Sequence, residues 1–160
     1  MKNEPTTALS KSELLLPRPR HDHIQGSIDA SIALVEYGDY ECPYCGQAYP
    51  IVRAIQEQLG ERLCFAFRNF PLANSHPHAE HAAEAAEAAS GQGKFWEIHD
   101  LLYENQEALD DENLAQYAAD LGLDARRLSD GHRPGSGEAH LADCYGRADQ
   151  DQKRHHAPPA

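Results

Sequence analysis

The stretch Leu34-Val35-Glu36-Tyr37-Gly38-Asp39-Tyr40-Glu41-Cys42-Pro43-Tyr44-Cys45-Gly46-Gln47-Ala48-Tyr49-Pro50 sets two cysteines two residues apart where an apolar run gives way to helical periodicity. Upstream, Ile32-Ala33-Leu34-Val35 is apolar on both faces, the pattern of a central strand buried between helices in a parallel sheet. Downstream, Pro43 supplies the fixed φ of a first helical turn. Ala48, Ile51, Val52, Ile55 and Leu59 then recur at helical spacing until Gly60 stops the helix. Leu63 to Phe70 reads as a second strand, with Leu63, Phe65 and Phe67 alternating against Cys64, Ala66 and Arg68. Strand, helix and strand within about 40 residues make a βαβ unit, so the fold class is α/β.

Beyond Pro71 the pattern turns helical. Ala79 to Ser90 is rich in Ala and Glu and is closed by Gly91 and Gly93. Lys94 to Glu104 places Phe95, Ile98, Leu101 and Leu102 on one face. A further helix starts at Asp110 or Asp111 as N-cap and buries Leu114, Tyr117, Ala118 and Leu121, and Asp124 caps one more turn through Leu128. Residues 1–30 lack a usable period and read as an arm. The domain is expected over 31–128, with the helical insertion from about residue 76. Residues 129–160 hold one aliphatic side chain larger than alanine, Leu141, and are expected to be disordered.

A formal charge of −12 over 160 residues argues against nucleic acid or an anionic membrane as partner, since both require clustered Lys and Arg. The longest early aliphatic run, Leu14-Leu15-Leu16, is too short for a leader or a membrane span, so the chain reads as cytoplasmic. Four cysteines are too few for a disulfide scaffold, and in a reducing compartment a close pair points to catalysis or metal.

A thiol at a helix start meets unpaired N–H groups and about half a positive charge, which favour its ionisation. Cysteines in Cys-x-x-Cys motifs reach pKa values of roughly 3.5 to 7.5, against about 8.5 for a free thiol. Cys42 is therefore the expected nucleophile. One helical turn on, Cys45 is placed to attack a mixed disulfide formed by Cys42. Glu41 adjoins Cys42 and opposes its ionisation. Zinc uses the same spacing but needs a second ligand pair, whereas this pair opens a long helix after a buried strand. His76, His78 and His81 are close in sequence; a turn entering a helix accounts for them without a metal. Glu80, Glu84 and Glu87 read as a solvated face, Phe95 and Trp96 as core, Cys64 as a packed thiol, and Cys144 as a tail residue.

The segments LVEYGDYECPYC, FRNFPLANSHPHAEHAAEAAEAA and GKFWEIHDLLYENQEAL, within about residues 20 to 123, resemble the DsbA-like thiol-disulfide oxidoreductases of the thioredoxin superfamily. The resemblance implies a thioredoxin-like βαβ unit with a lid-like helical insertion. It implies an active-site motif of Cys42, Pro43, Tyr44 and Cys45, with Cys42 attacking and Cys45 resolving. It also implies that Glu36 helps to move the proton of Cys45. Protein or small-molecule thiols and disulfides are the implied partners, with no metal or organic cofactor.

The family continues into a strand preceded by a cis-proline, then a further strand and helix. Here Pro134 is flanked by Gly, Ser and charge, so the C-terminal strands of the fold are expected to be missing. The expected cause is a coding frame that departs after about Asp124. Codons for Lys153 to Ala157 read one base forward permit Asn or Ser, Gly, Thr, Thr and Pro. A domain so shortened is expected to expose a sheet edge and to melt with little cooperativity. The alternative to an enzyme is a non-catalytic truncated remnant, acting as a partner-bound module.

Overall fold

The computed structural model describes residues 16–19 and 22–124. Three strands form a mixed sheet in the order β1-β3-β2: β1 is His23–Gln25, β2 is Ile32–Gly38 and β3 is Leu63–Asn69. β2 runs parallel to β3 from the Ile32–Leu63 pair to the Gly38–Asn69 pair, and β1 lies antiparallel on the other side, with His23 opposite Phe67. Helix α1, Pro43–Leu59, joins β2 to β3 and completes the expected βαβ unit. Three helices follow: α2 (Ala79–Ser90), α3 (Phe95–Glu104) and α4 (Asp111–Asp120).

The helical boundaries follow from local chemistry. Gly60 ends α1 at φ 49°, a conformation that costs an L side chain its Cβ clearance. Asp110 caps α4, its carboxylate accepting from the backbone N–H groups of Glu112 and Asn113. In α2, Ala79, Ala82, Ala83, Ala86 and Ala89 are buried, and this small-residue stripe lets α3 pack close. α3 answers with Phe95, Ile98, His99, Leu102 and Tyr103. These side chains join Phe65, Phe67 and Tyr40 in the core.

Two features differ from the sequence reading. β3, buried along its whole length, is the central strand, and β2 is at the edge of the sheet among the described residues. The apolar run of β2 is exposed to half-buried, and Ile32 is exposed. The supposed arm also contributes β1, three residues too short to show alternation. Arg68 fastens the chain that leads into β1. Its guanidinium donates to both carboxylate oxygens of Asp22 at 2.7 and 2.8 Å, to the Tyr37 hydroxyl and to the Leu16 carbonyl. Breaking so buried a pair costs about 3–5 kcal/mol. The expected turn through Leu128, the tail at 129–160, Pro134, Cys144 and the C-terminal strands lie outside the described residues.

Candidate functional site

Cys42 is the N-cap of α1, with extended backbone (φ −73°, ψ 120°) and Pro43 in the first turn. The helix start is thus placed at Cys42 by the proline, whose missing N–H would have had no intrahelical partner. Pro43 and Tyr44 face solvent, Tyr44 at 78% exposure, while Cys42 and Cys45 are half-buried free thiols. One turn of helix brings the Cys45 sulphur into hydrogen-bonding reach of Cys42.

Burial pushes the Cys45 thiol up to about 11, with Cys42 and Glu36 adding to the rise and a backbone hydrogen bond from Asp39 working against it. Glu36, half-buried on β2, is also held above the ordinary carboxylate value by burial. Beside Glu36 is a cavity of about 10 Å³, lined also by Tyr49, Trp96, His99 and Asp100 and wide enough for about one water. His99, Nδ1 at 3.1 Å from the Tyr40 hydroxyl, is pushed down to about 3 by burial and by His23 and Arg53, and so is neutral.

The segment before Cys42 is held by the helical insertion. Gln106, just after α3, donates through Nε2 to the carbonyls of Tyr40 (2.7 Å) and Cys42 (3.0 Å). A Cβ on Gly46 would collide with that same side chain, which explains a glycine inside the first turns of α1. A Cβ on Gly38 would run into the Phe67 ring and the Tyr103 hydroxyl, so β2 and α3 close on each other at a glycine. Asp39, 3% exposed, accepts from the Leu72 N–H at 2.8 Å and pairs with Nδ1 of His76 at 2.7 Å. Glu41 accepts from the backbone N–H of His78 at 2.7 Å and pairs with its Nδ1 at 3.0 Å.

The three histidines thus go to three separate carboxylates, the third pair being His81 with Asp111 at 2.7 Å. His78 is the N-cap residue of α2, as a turn entering a helix requires. Glu87 departs from the solvated-face reading: Nε2 of His23 and Nδ2 of Asn69 both meet its Oε1. Sequence reasoning missed Gln106 and the His–Asp and His–Glu pairs, because their partners are 37 to 66 residues away. The acidic residues before Cys42 and the histidines after Pro71 were each visible, but not their meeting.

The β2–α1 junction thus carries two free thiols, Cys42 and Cys45, at the start of a long helix, with three further helices after β3. A thioredoxin family model, Thioredoxin_4, matches residues 19–153. The chain belongs to this family. Among solved structures it is similar to a thioredoxin-like oxidoreductase from Silicibacter pomeroyi, with a TM-score of 0.77 and 25% identity, over 88% of this chain and 79% of that one. It shares its fold with Wolbachia pipientis alpha-DsbA1, with a TM-score of 0.73 and 18% identity, over 94% of this chain and 77% of that one. A sequence relative is the Na(+)/H(+) antiporter NhaA 3 of Salinispora tropica, 39% identical over 158 residues. That alignment takes in 91% of this chain and 24% of the antiporter. The chain spans less than a quarter of the length of the curated relatives it matches. Among the described residues no helix is long and apolar enough to cross a membrane.

Proposed function

We propose that the chain performs thiol–disulfide exchange on protein or small-molecule substrates through Cys42 and Cys45. The observation that carries the reading is the asymmetry of the pair. Cys42 stands half-buried at the N-cap position of α1, and Cys45 behind it is held as a thiol by burial, next to a carboxylate, Glu36.

In the reducing direction the Cys42 thiolate attacks one sulphur of a substrate disulfide. The substrate S–S bond breaks, its electron pair leaves on the second sulphur, which takes a proton, and a mixed disulfide forms. Cys45 then passes its proton to Glu36 and attacks the Cys42 sulphur; the Cys42–substrate S–S bond breaks, and its electron pair leaves on the substrate sulphur, which takes a proton from solvent. The substrate leaves as a dithiol, and the pair is left as the Cys42–Cys45 disulfide. The same steps reversed oxidise a substrate dithiol. The cavity beside Glu36 provides room for a water that carries the proton onward. A cytoplasmic setting is part of this proposal, checked by alkylating the thiols in intact cells and after fractionation.

Turnover of a disulfide substrate with dithiothreitol as electron donor, beside a Cys42→Ser control, tests the proposal. Activity that the control lacks supports exchange. An inactive parent chain favours the non-catalytic remnant.

A further inference from the structure

We propose that solvent reaches Glu36 from the side of the domain, through a water passage between α1 and β1 whose wall is the hydrogen-bonded pair Gln25 and Gln56. The inference rests on the proposed thiol chemistry and adds the route by which Glu36 gives up the proton taken from Cys45.

The cavity of about 10 Å³ beside Glu36 is also lined by Gln25, Arg53, Gln56 and Phe65. The same four residues line an open groove of about 370 Å³ that extends past Gly26 and Gly60. Cavity and groove therefore meet at these side chains, of which only Phe65 is apolar. Nε2 of Gln56 donates to Oε1 of Gln25 at 2.6 Å, bridging α1 to β1, and Nη1 of Arg53 donates to Oδ2 of Asp100 at 2.8 Å, bridging α1 to α3. An amide carries two N–H donors and two acceptor lone pairs, so the glutamine bridge leaves Gln56 Oε1 and Gln25 Nε2 to bond water. The cavity holds about one such water.

The chemistry calls for a second way out. While Cys45 attacks, Cys42 carries the substrate, which stands over the exposed Pro43 and Tyr44 and screens that side from water. The Glu36 carboxylic acid then gives its proton to the cavity water, that water passes one on to the groove, and the carboxylate is restored. Tyr40, Cys45 and Tyr103 are the titratable groups coupled to Glu36 away from the cavity. Around the cavity stand Tyr49, the Arg53–Asp100 pair and His99, which is neutral.

The test is the side-chain carboxyl ¹³C titration of Glu36 by NMR in the full reduced chain. Gln56→Met keeps the bulk but makes the wall apolar, and Gln56→Ser leaves a smaller, polar wall that admits more water. Both lose the bridge to Gln25, so a purely structural role shifts them alike. The passage predicts opposite signs: Met raises the Glu36 pKa by about 0.5 to 1 unit and Ser lowers it. Gln25→Met, from the β1 side, should act as Gln56→Met does. Below the Glu36 pKa, single-turnover quench with oxidised glutathione should show release by Cys45 slowed about three- to tenfold in Gln56→Met, with attack by Cys42 unchanged. In a Glu36→Gln background the same substitution should change neither step. A Glu36 titration unmoved by either methionine, or moved in the same direction by Met and Ser, overturns the passage. The titration reads hydration and not turnover. Opposite shifts in a chain that forms no glutathione adduct would therefore refute the proposed function alone, and turnover with an unmoved titration this inference alone.

Discussion

The reduced chain should react with alkylating agents at Cys42 while Cys45 lags, and the size of the lag follows from burial. Burial and the neighbouring Cys42 hold Cys45 at about 11, against 9.0 for an ordinary thiol. At pH 7 that lowers its thiolate fraction from about one in a hundred to about one in ten thousand. The more basic thiolate is intrinsically the better nucleophile. With a Brønsted coefficient of about 0.4–0.5, two units return roughly six- to tenfold. Cys45 should therefore alkylate about tenfold more slowly than a free thiol at pH 7, before any loss from restricted access. The pH profile discriminates better than a single rate. Labelling of Cys45, followed by peptide mass spectrometry from pH 7 to 10.5, should rise about tenfold per pH unit through pH 10. Cys42→Ser removes the sulphur hydrogen bond and the neighbouring charge, yet Cys45 should stay above an ordinary thiol because burial is the largest cause. A plateau near pH 9, or labelling as fast as in urea-unfolded chain, would refute the buried resolving thiol.

Glu36→Gln should leave the first attack by Cys42 intact and slow release of the mixed disulfide by about 10²-fold or more, seen in single-turnover quench experiments. Because burial raises Glu36, its contribution to stability is complete below the ordinary value of 4.5 and is lost as pH rises through the native one. Glu36→Gln should therefore resist urea better than the parent at pH 7 and equally at pH 4. Gln106→Ala frees two carbonyls and should destabilise the loop before Cys42 by about 1–3 kcal/mol. Hydrogen exchange at the Gly46 amide, bonded to the Cys42 carbonyl at 3.0 Å, should accelerate tenfold or more. His99 should show no imidazole titration by NMR between pH 8 and 5, while His81, bonded to Asp111, titrates above 6.5. With its native pKa depressed, the contribution of His99 to stability is whole above 6.5 and falls as pH drops toward 3, by about 2 kcal/mol between pH 7 and pH 5.

The β2–α1–β3 unit and the helices after it were legible because their signals are local. Pro43 after Cys42 marks the start of α1, alanines at helical spacing mark α2, and Asp110 announces α4. The parallel pairing of β2 and β3 follows from a helix lying between two apolar runs. What the sequence hid depends on tertiary contact. His23–Gln25 becomes a strand only because β3 offers an edge to it, and Arg68 turns inward only because Asp22 waits there. Glu87 leaves the solvated face for His23 and Asn69, and Gln106 reaches Tyr40 and Cys42 from beyond α3. None of these has a periodicity or motif to announce it. Which strand is central was misjudged because apolar content does not distinguish a strand buried on both faces from an edge strand under one helix.

Trapping the covalent intermediate tests thiol–disulfide exchange most directly. A Cys45→Ser chain, mixed with oxidised glutathione and analysed as intact protein and as peptides, should accumulate one dithiothreitol-reversible glutathione adduct at Cys42. The parent should pass through that adduct to an internal Cys42–Cys45 disulfide. An adduct forming no faster at Cys42 than at Cys64, or one that persists in the parent, would contradict an attacking Cys42 resolved by Cys45.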